Sequence, residues 1–169
     1  DLLILVPSHI SNETQNQEIE TLIGVLWDIG LNVGHSVRNL QECIKEAAQD
    51  VTVQTNLLEA RLLSGNQLEF TKFLAAINQD LKPALFLAAK TREQDNRHAK
   101  FNDTAYSLEP NLKESPGGLR DLHSILWIAQ SQQLGKSWAE LAKNKVISTD
   151  ELCQIKKHAR NLQMLRIRL

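Results

Sequence analysis

Two hydrophobic rhythms divide the chain. Residues 2–6, Leu-Leu-Ile-Leu-Val, are apolar without alternation, which reads as a central strand covered on both faces. Pro7 ends that run, and the polar stretch from Ser8 to Gln17 follows as a loop or the lead into a helix. From about Glu18, apolar residues recur at Ile19, Leu22, Ile23, Leu26 and Ile29, a helical stripe that Gly30 closes. Leu31 to Arg38 reads as a second strand, so the chain opens with a β-α-β unit.

Beyond Asn39 the period becomes 3.6 residues. Asn39 caps a predicted helix to about Gln49 whose Leu40, Cys43, Ile44 and Ala47 share a face. Asp50 caps another, carrying Leu57, Leu58, Arg61 and Leu62 and closed by Gly65. Residues 66 to about 98 read as helix, with Pro83 in a first turn or at a kink. The Lys90 to Lys100 stretch is almost wholly polar, either a solvated helix face or an arm reaching across a cleft. A non-helical connection from Phe101 to Gly118 precedes helices over Leu119 to about Gln130, Ser137 to Asn144, and from Thr149 onward. The run Ser148-Thr149-Asp150-Glu151 offers a capping start to the last of these. The expected fold is α+β and mostly α, with a sheet remnant in residues 1–65 and a helical lobe in 66–169.

Composition narrows the class. The 169 residues, 42% of them apolar, can fill one domain or two small lobes. A net charge of −1 supplies no global field toward nucleic acid or an anionic membrane. No apolar run reaches membrane-spanning length, and no basic region with a signal core opens the sequence. Cys43 and Cys153 match neither metal spacing nor a disulfide framework, and they read as core residues of a cytoplasmic protein. Trp27, Trp127 and Trp138 sit at helical positions and read as core or lobe-junction packing. Asp95 with His98 reads as a helix-surface pair, and the basic last helix as a solvated face or a domain contact.

Candidate chemistry concentrates between Leu108 and Asp121. Pro116 stops any preceding element, and the Gly117-Gly118 pair can adopt backbone angles that turn N–H groups toward a ligand. The Leu119 helix aims the positive end of its dipole at the same place. Lys113 and Arg120 suit phosphate oxygens, while Glu109, Glu114 and Asp121 can position those cations or a metal. A polyanion site is one reading. The other is a loop leading into a helix, in which Asp121 and Arg120 pair with neighbours.

Three stretches in order, Trp27 to Arg38, Thr55 to Gly65 and Leu108 to Asp121, closely resemble the bacterial PII uridylyltransferase/uridylyl-removing family. Leu58 to Gly65 and Lys113 to Asp121 are also similar to the sister adenylyltransferases of glutamine synthetase. The resemblance implies a fold like DNA polymerase beta, in which a small mixed sheet carries an Asp-x-Asp pair and a helical lobe closes over the nucleotide. It implies transfer of UMP from UTP to a tyrosine of the PII signalling protein with Mg²⁺ as cofactor, since Mg²⁺ takes hard oxygen ligands and bridges phosphates. Asp1 then corresponds to the second Asp of the pair and to a metal ligand. The first Asp and the Gly-rich turn before it are missing, so the chain is expected to be a truncated transferase lobe that does not uridylylate PII by itself. Arg61, Lys113, Gly117, Gly118, Arg120 and Asp121 are the expected nucleotide or triphosphate contacts.

Such enzymes usually carry a third carboxylate on the following strand, and Val33 to Val37 has none. Glu59 is the candidate to replace it as a catalytic residue, polar with Arg61 in an apolar helix and beside Asn56 one turn back; a neighbour salt bridge at the lobe junction is the alternative. His35, between strand apolars, is a nucleotide contact or a hydrogen-bonded structural histidine. Hydrolysis of uridylyl-PII and glutamine sensing belong, by the resemblance, to HD and ACT domains that this chain does not contain. Adenylyl transfer to glutamine synthetase and a non-catalytic helical docking module are the alternative functions.

Overall fold

The computed structural model describes residues 1–7, 13–101, 103 and 111–168. Strands β1 (Leu2–Leu5) and β2 (His35–Arg38) pair in parallel, Leu2 opposite His35 and Leu5 opposite Arg38, and helix α1 (Glu13–Asp28) is the crossover between them. The expected β-α-β opening is therefore present, within an α+β fold that is mostly α. Its details differ from expectation in three ways. α1 begins at Glu13, and of its apolar stripe only Ile23 is fully buried. β2 begins at His35 rather than Leu31, because the Leu31 N–H turns back to the Leu26 carbonyl and the Val33 N–H to the Leu31 carbonyl, leaving no ladder to form there. β1 is not the fully buried central strand expected: Leu2, Leu3 and Ile4 are half-buried, Leu5 is exposed, and β2 is its one neighbour among the described residues.

The rest is helical: α2 (Leu40–Gln49), α3 (Val51–Leu58), α4 (Gln67–Asp80), α5 (Pro83–Ala99), α6 (Leu119–Ser131), α7 (Trp138–Lys143) and α8 (Thr149–Arg168). Local chemistry sets most of these limits. Asn39 and Glu42 form a reciprocal capping box, Asp50 and Ser137 cap α3 and α7, and Ser148 and Glu151 exchange bonds at the start of α8. Pro83 stands at the first turn of α5, where its missing N–H costs nothing. α3 stops at Leu58, seven residues before the expected Gly65. Ser64, Gly65 and Asn66 are turn formers, Gly65 lies at φ +120°, and the Asn66 side chain is committed to capping α4.

Two hydrophobic clusters meet at α3. Cys43, Ala47 and Leu57 join Phe73 and Ile77 in the first, while Leu58, Phe86 and Trp127 form the second. The domain boundary expected at residue 65 runs through the first cluster, since α4 shares it with α2 and α3. Burial pushes the Cys43 thiol above its usual range against the opposing Arg38 charge, so it remains an inert core group. Cys153 is exposed, contrary to expectation, because none of the described residues of α8 is fully buried. Trp27 also departs from the core reading: it is 54% exposed, its Nε1 donating to the Val33 carbonyl at 3.3 Å and its ring leaning on His35.

Candidate functional site

The last turn of α5 and the first turn of α6 converge on one carboxylate. Asp121 Oδ1 accepts from Arg97 Nη2 at 2.6 Å and from His98 Nε2 at 3.0 Å, and its Oδ2 accepts from the Gly117 N–H at 2.7 Å. An ionised carboxylate only accepts, so His98 carries its proton on Nε2. Burial alone would raise the Asp121 pKa, but the bonds from Arg97, His98 and Gly117 and the Arg97 charge outweigh it and hold the group below the usual carboxylate range. Arg97 is 9% exposed and also donates from Nη1 to the Glu114 carbonyl at 2.8 Å.

That carbonyl belongs to the loop 111–118, which is closed on itself. Asn111 Oδ1 accepts from the N–H groups of Lys113 and Glu114, and the N–H groups of Gly118, Leu119 and Arg120 donate to the carbonyls of Ser115, Leu112 and Lys113. The backbone amides of Gly117 and Gly118, expected to turn toward a ligand, are thus engaged within the loop and by Asp121. Gly117 takes φ +76°, and Gly118 is needed for space: a Cβ there would lie 2.8, 2.9 and 3.0 Å from the carbonyl oxygens of Ser115, Lys113 and Leu112. Overpacking of this kind costs about 1–3 kcal/mol, so Gly118→Ala is expected to lower stability by about 2 kcal/mol in urea unfolding. An unchanged midpoint would show that the carbonyls move aside freely.

Two cationic side chains stand on this loop. Arg120 Nη2 donates to Glu114 Oε1 at 3.2 Å, and Lys113 Nζ lies 3.4 Å from the same oxygen. Although burial opposes it, the Arg120 bond and charge and the Lys113 charge hold the Glu114 pKa below the usual range. Behind them, Trp127 packs in the second core cluster with Lys90 Nζ 4.5 Å from its ring centre and the Arg120 guanidinium 5.5 Å from it. Lys90 is only 2% exposed and pairs with Glu93 at 2.8 Å.

The polar second half of α5 is therefore neither a wholly solvated face nor a free arm. Lys90 and Arg97, seven residues apart, turn inward against α6. His98 pairs with Asp121, not with Asp95 as the sequence spacing suggested. Arg97 and His98 were not apparent as site residues; their only signal was the spacing of Lys90, Glu93 and Arg97 along one helical face.

The other expected residues lie elsewhere. Asp1 is exposed, its carboxylate against Gly34, and exposed His35 is at the same end of the sheet, opposite Leu2. Glu59 is the C-cap of α3 and Arg61 follows it outside the helix, both exposed, so the helix expected to carry them ends before Arg61. Glu59 instead borders a shallow pocket of about 160 Å³ with Lys136, Gln130 and Asn78. Among the described residues no hydrogen bond or ion pair joins Asp1, His35, Glu59 or Arg61 to the 111–121 segment. Among the described residues no three His, Cys, Asp or Glu side chains gather closely enough to hold a metal. Glu109 lies outside the described residues. No described helix is long and apolar enough to cross a membrane.

The sequence profile described as GlnD PII-uridylyltransferase matches residues 85–169, from α5 through α8. Curated proteins named bifunctional uridylyltransferase/uridylyl-removing enzyme are similar over the whole chain: 49% identical in Nitrosospira multiformis, 48% in Burkholderia thailandensis and 46% in Aromatoleum aromaticum. Each alignment covers 100% of this chain and 20% of the relative, so the chain spans about a fifth of their length. No solved structure matches it.

Proposed function

The chain belongs to the GlnD PII-uridylyltransferase family, and from that premise we propose that it forms part of a cytoplasmic enzyme that transfers UMP from UTP to a tyrosine of the PII protein. In this reading the tyrosine hydroxyl attacks the α-phosphorus, the bond to the β-phosphate oxygen breaks, and pyrophosphate departs. Lys113 and Arg120 hold the anionic triphosphate and stabilise the departing charge. Asp121 acts on them indirectly, by fixing the loop that carries them.

One observation carries the reading: the Lys113 ammonium and the Arg120 guanidinium converge on a single carboxylate oxygen, 3.4 and 3.2 Å away, at the N-terminus of α6 within the matched segment. Cations spaced to share one oxygen are spaced to share a phosphoryl oxygen. The proposed Mg²⁺ dependence rests on the Asp1 carboxylate, a hard oxygen donor of the kind that Mg²⁺ takes. In this reading His35, beside Asp1 at the sheet end, and Arg61 contact the nucleotide, and Glu59 stands in for the third carboxylate.

A second reading, a helical docking module for PII, is favoured by the internal engagement of the Gly117 to Arg120 amides. Nucleotide binding separates the two. In the intact enzyme, Lys113→Ala and Arg120→Ala should each weaken UTP binding about tenfold or more, as loss of a charge-assisted bond of about 1.5–3 kcal/mol requires. Calorimetry giving unchanged affinity in both variants would favour the docking module.

A further inference from the structure

Glu114 stands between two sets of cations. Its Oε1 serves Arg120 Nη2 at 3.2 Å and Lys113 Nζ at 3.4 Å, while its Oε2 lies 3.9 Å from Arg97 Nε. That Nε is buried and has no hydrogen-bond acceptor among the described residues, although Nη1 and Nη2 of the same guanidinium are engaged by the Glu114 carbonyl and Asp121. A buried donor without an acceptor is costly. Arg97 therefore retains a place for one more oxygen, and the oxygen nearest it belongs to Glu114.

We propose that Glu114 is an internal substitute for the ligand's phosphate, occupying Lys113 and Arg120 in the free enzyme and moving onto Arg97 Nε when a polyphosphate takes its place. This rests on the reading of Lys113 and Arg120 as triphosphate contacts and adds to it a residue that opposes binding. The chemistry is competitive: the same donors cannot saturate a carboxylate and a phosphoryl oxygen together, so the ligand must first displace a charge-assisted contact. Movement of the side chain is sufficient, because the Glu114 carbonyl is already held by Arg97 and its N–H by Asn111. The receiving Nε, itself buried without an acceptor, gains the oxygen it lacks when the carboxylate is displaced.

Inorganic tripolyphosphate, titrated calorimetrically into the intact enzyme, tests the exchange. Glu114→Gln and Glu114→Ala should bind it more tightly than the wild type, by about tenfold, as expected when one charge-assisted contact no longer has to be displaced. Lys113→Ala should bind it more weakly. If both Glu114 variants bind equally or less well while Lys113→Ala still weakens binding, Glu114 positions the cations and the substitution idea is overturned, but the phosphate reading stands. If Lys113→Ala binds like the wild type, or no variant binds at all, the phosphate reading fails and this proposal fails with it. The Gln variant keeps the side-chain shape, and unchanged circular dichroism verifies that its fold is intact.

Discussion

Asp121→Ala is expected to cost the fold on the order of 3 kcal/mol, the cost of stranding a buried charge whose partner is removed. The stranded group is Arg97, which would keep its bond to the Glu114 carbonyl and the longer 3.9 Å approach of Glu114 Oε2. The Gly117 N–H and His98 would lose the same acceptor, so the loop and both helix ends loosen together. Urea unfolding at neutral pH measures the loss; less than about 0.5 kcal/mol would mean that the cluster behaves like an exposed ion pair. The pH dependence has a definite sign. The folded pKa values of Asp121 and Glu114 are both depressed, so their stabilisation is present above the ordinary carboxylate range and is lost as pH falls through the folded values. Asp121→Ala should therefore have a flatter stability profile in acid than the wild type.

Phe86→Ala is expected to cost about 3–5 kcal/mol, the usual range for deleting a buried aromatic ring. Phe86 is 1% exposed and forms the second cluster with Leu58 and Trp127, so three helices meet on it. Its loss also reaches the polar site, because Arg97 lies about three turns farther along the same helix. Unfolding should show a lower midpoint, and hydrogen exchange in the 111–118 loop should quicken because that loop is held through Arg97. Full stability in the variant would indicate that the cluster collapses around the cavity without penalty.

How far the sequence revealed this structure follows from the range of the interactions. The Asn39 and Asp50 caps and the Ser148–Glu151 start of α8 each involve residues within about one turn and are readable, whereas Pro83 is readable only as a first turn or a kink. The end of α3 and the start of β2 were misplaced because apolar residues continue past both points while the backbone bonds turn elsewhere. Lys113 and Arg120 could be singled out by type and spacing. Their engagement by Glu114 was legible only as an alternative, pairing with neighbours. The Arg97–Asp121 and His98–Asp121 contacts span 24 and 23 residues and were not visible, since polar residues on a helix give no sign of which distant carboxylate will meet them. Trp27 and Cys153 show the same limit in reverse: apolar identity at a helical position does not say whether a neighbouring element arrives to cover it.

The two consecutive leucines of α3 limit how this chain can change in length. Leu57 belongs to one cluster and Leu58 to the other, and each residue added to or removed from a helix rotates everything beyond it by about 100°. A single inserted or deleted residue within α3 would thus misdirect both leucines at once, with no compensating shift available in an element of eight residues. The exposed turn from Ser64 to Asn66, a few positions later, carries no such double obligation. Length variation among relatives should accumulate there and spare the helix, whatever substitutions the helix itself accepts.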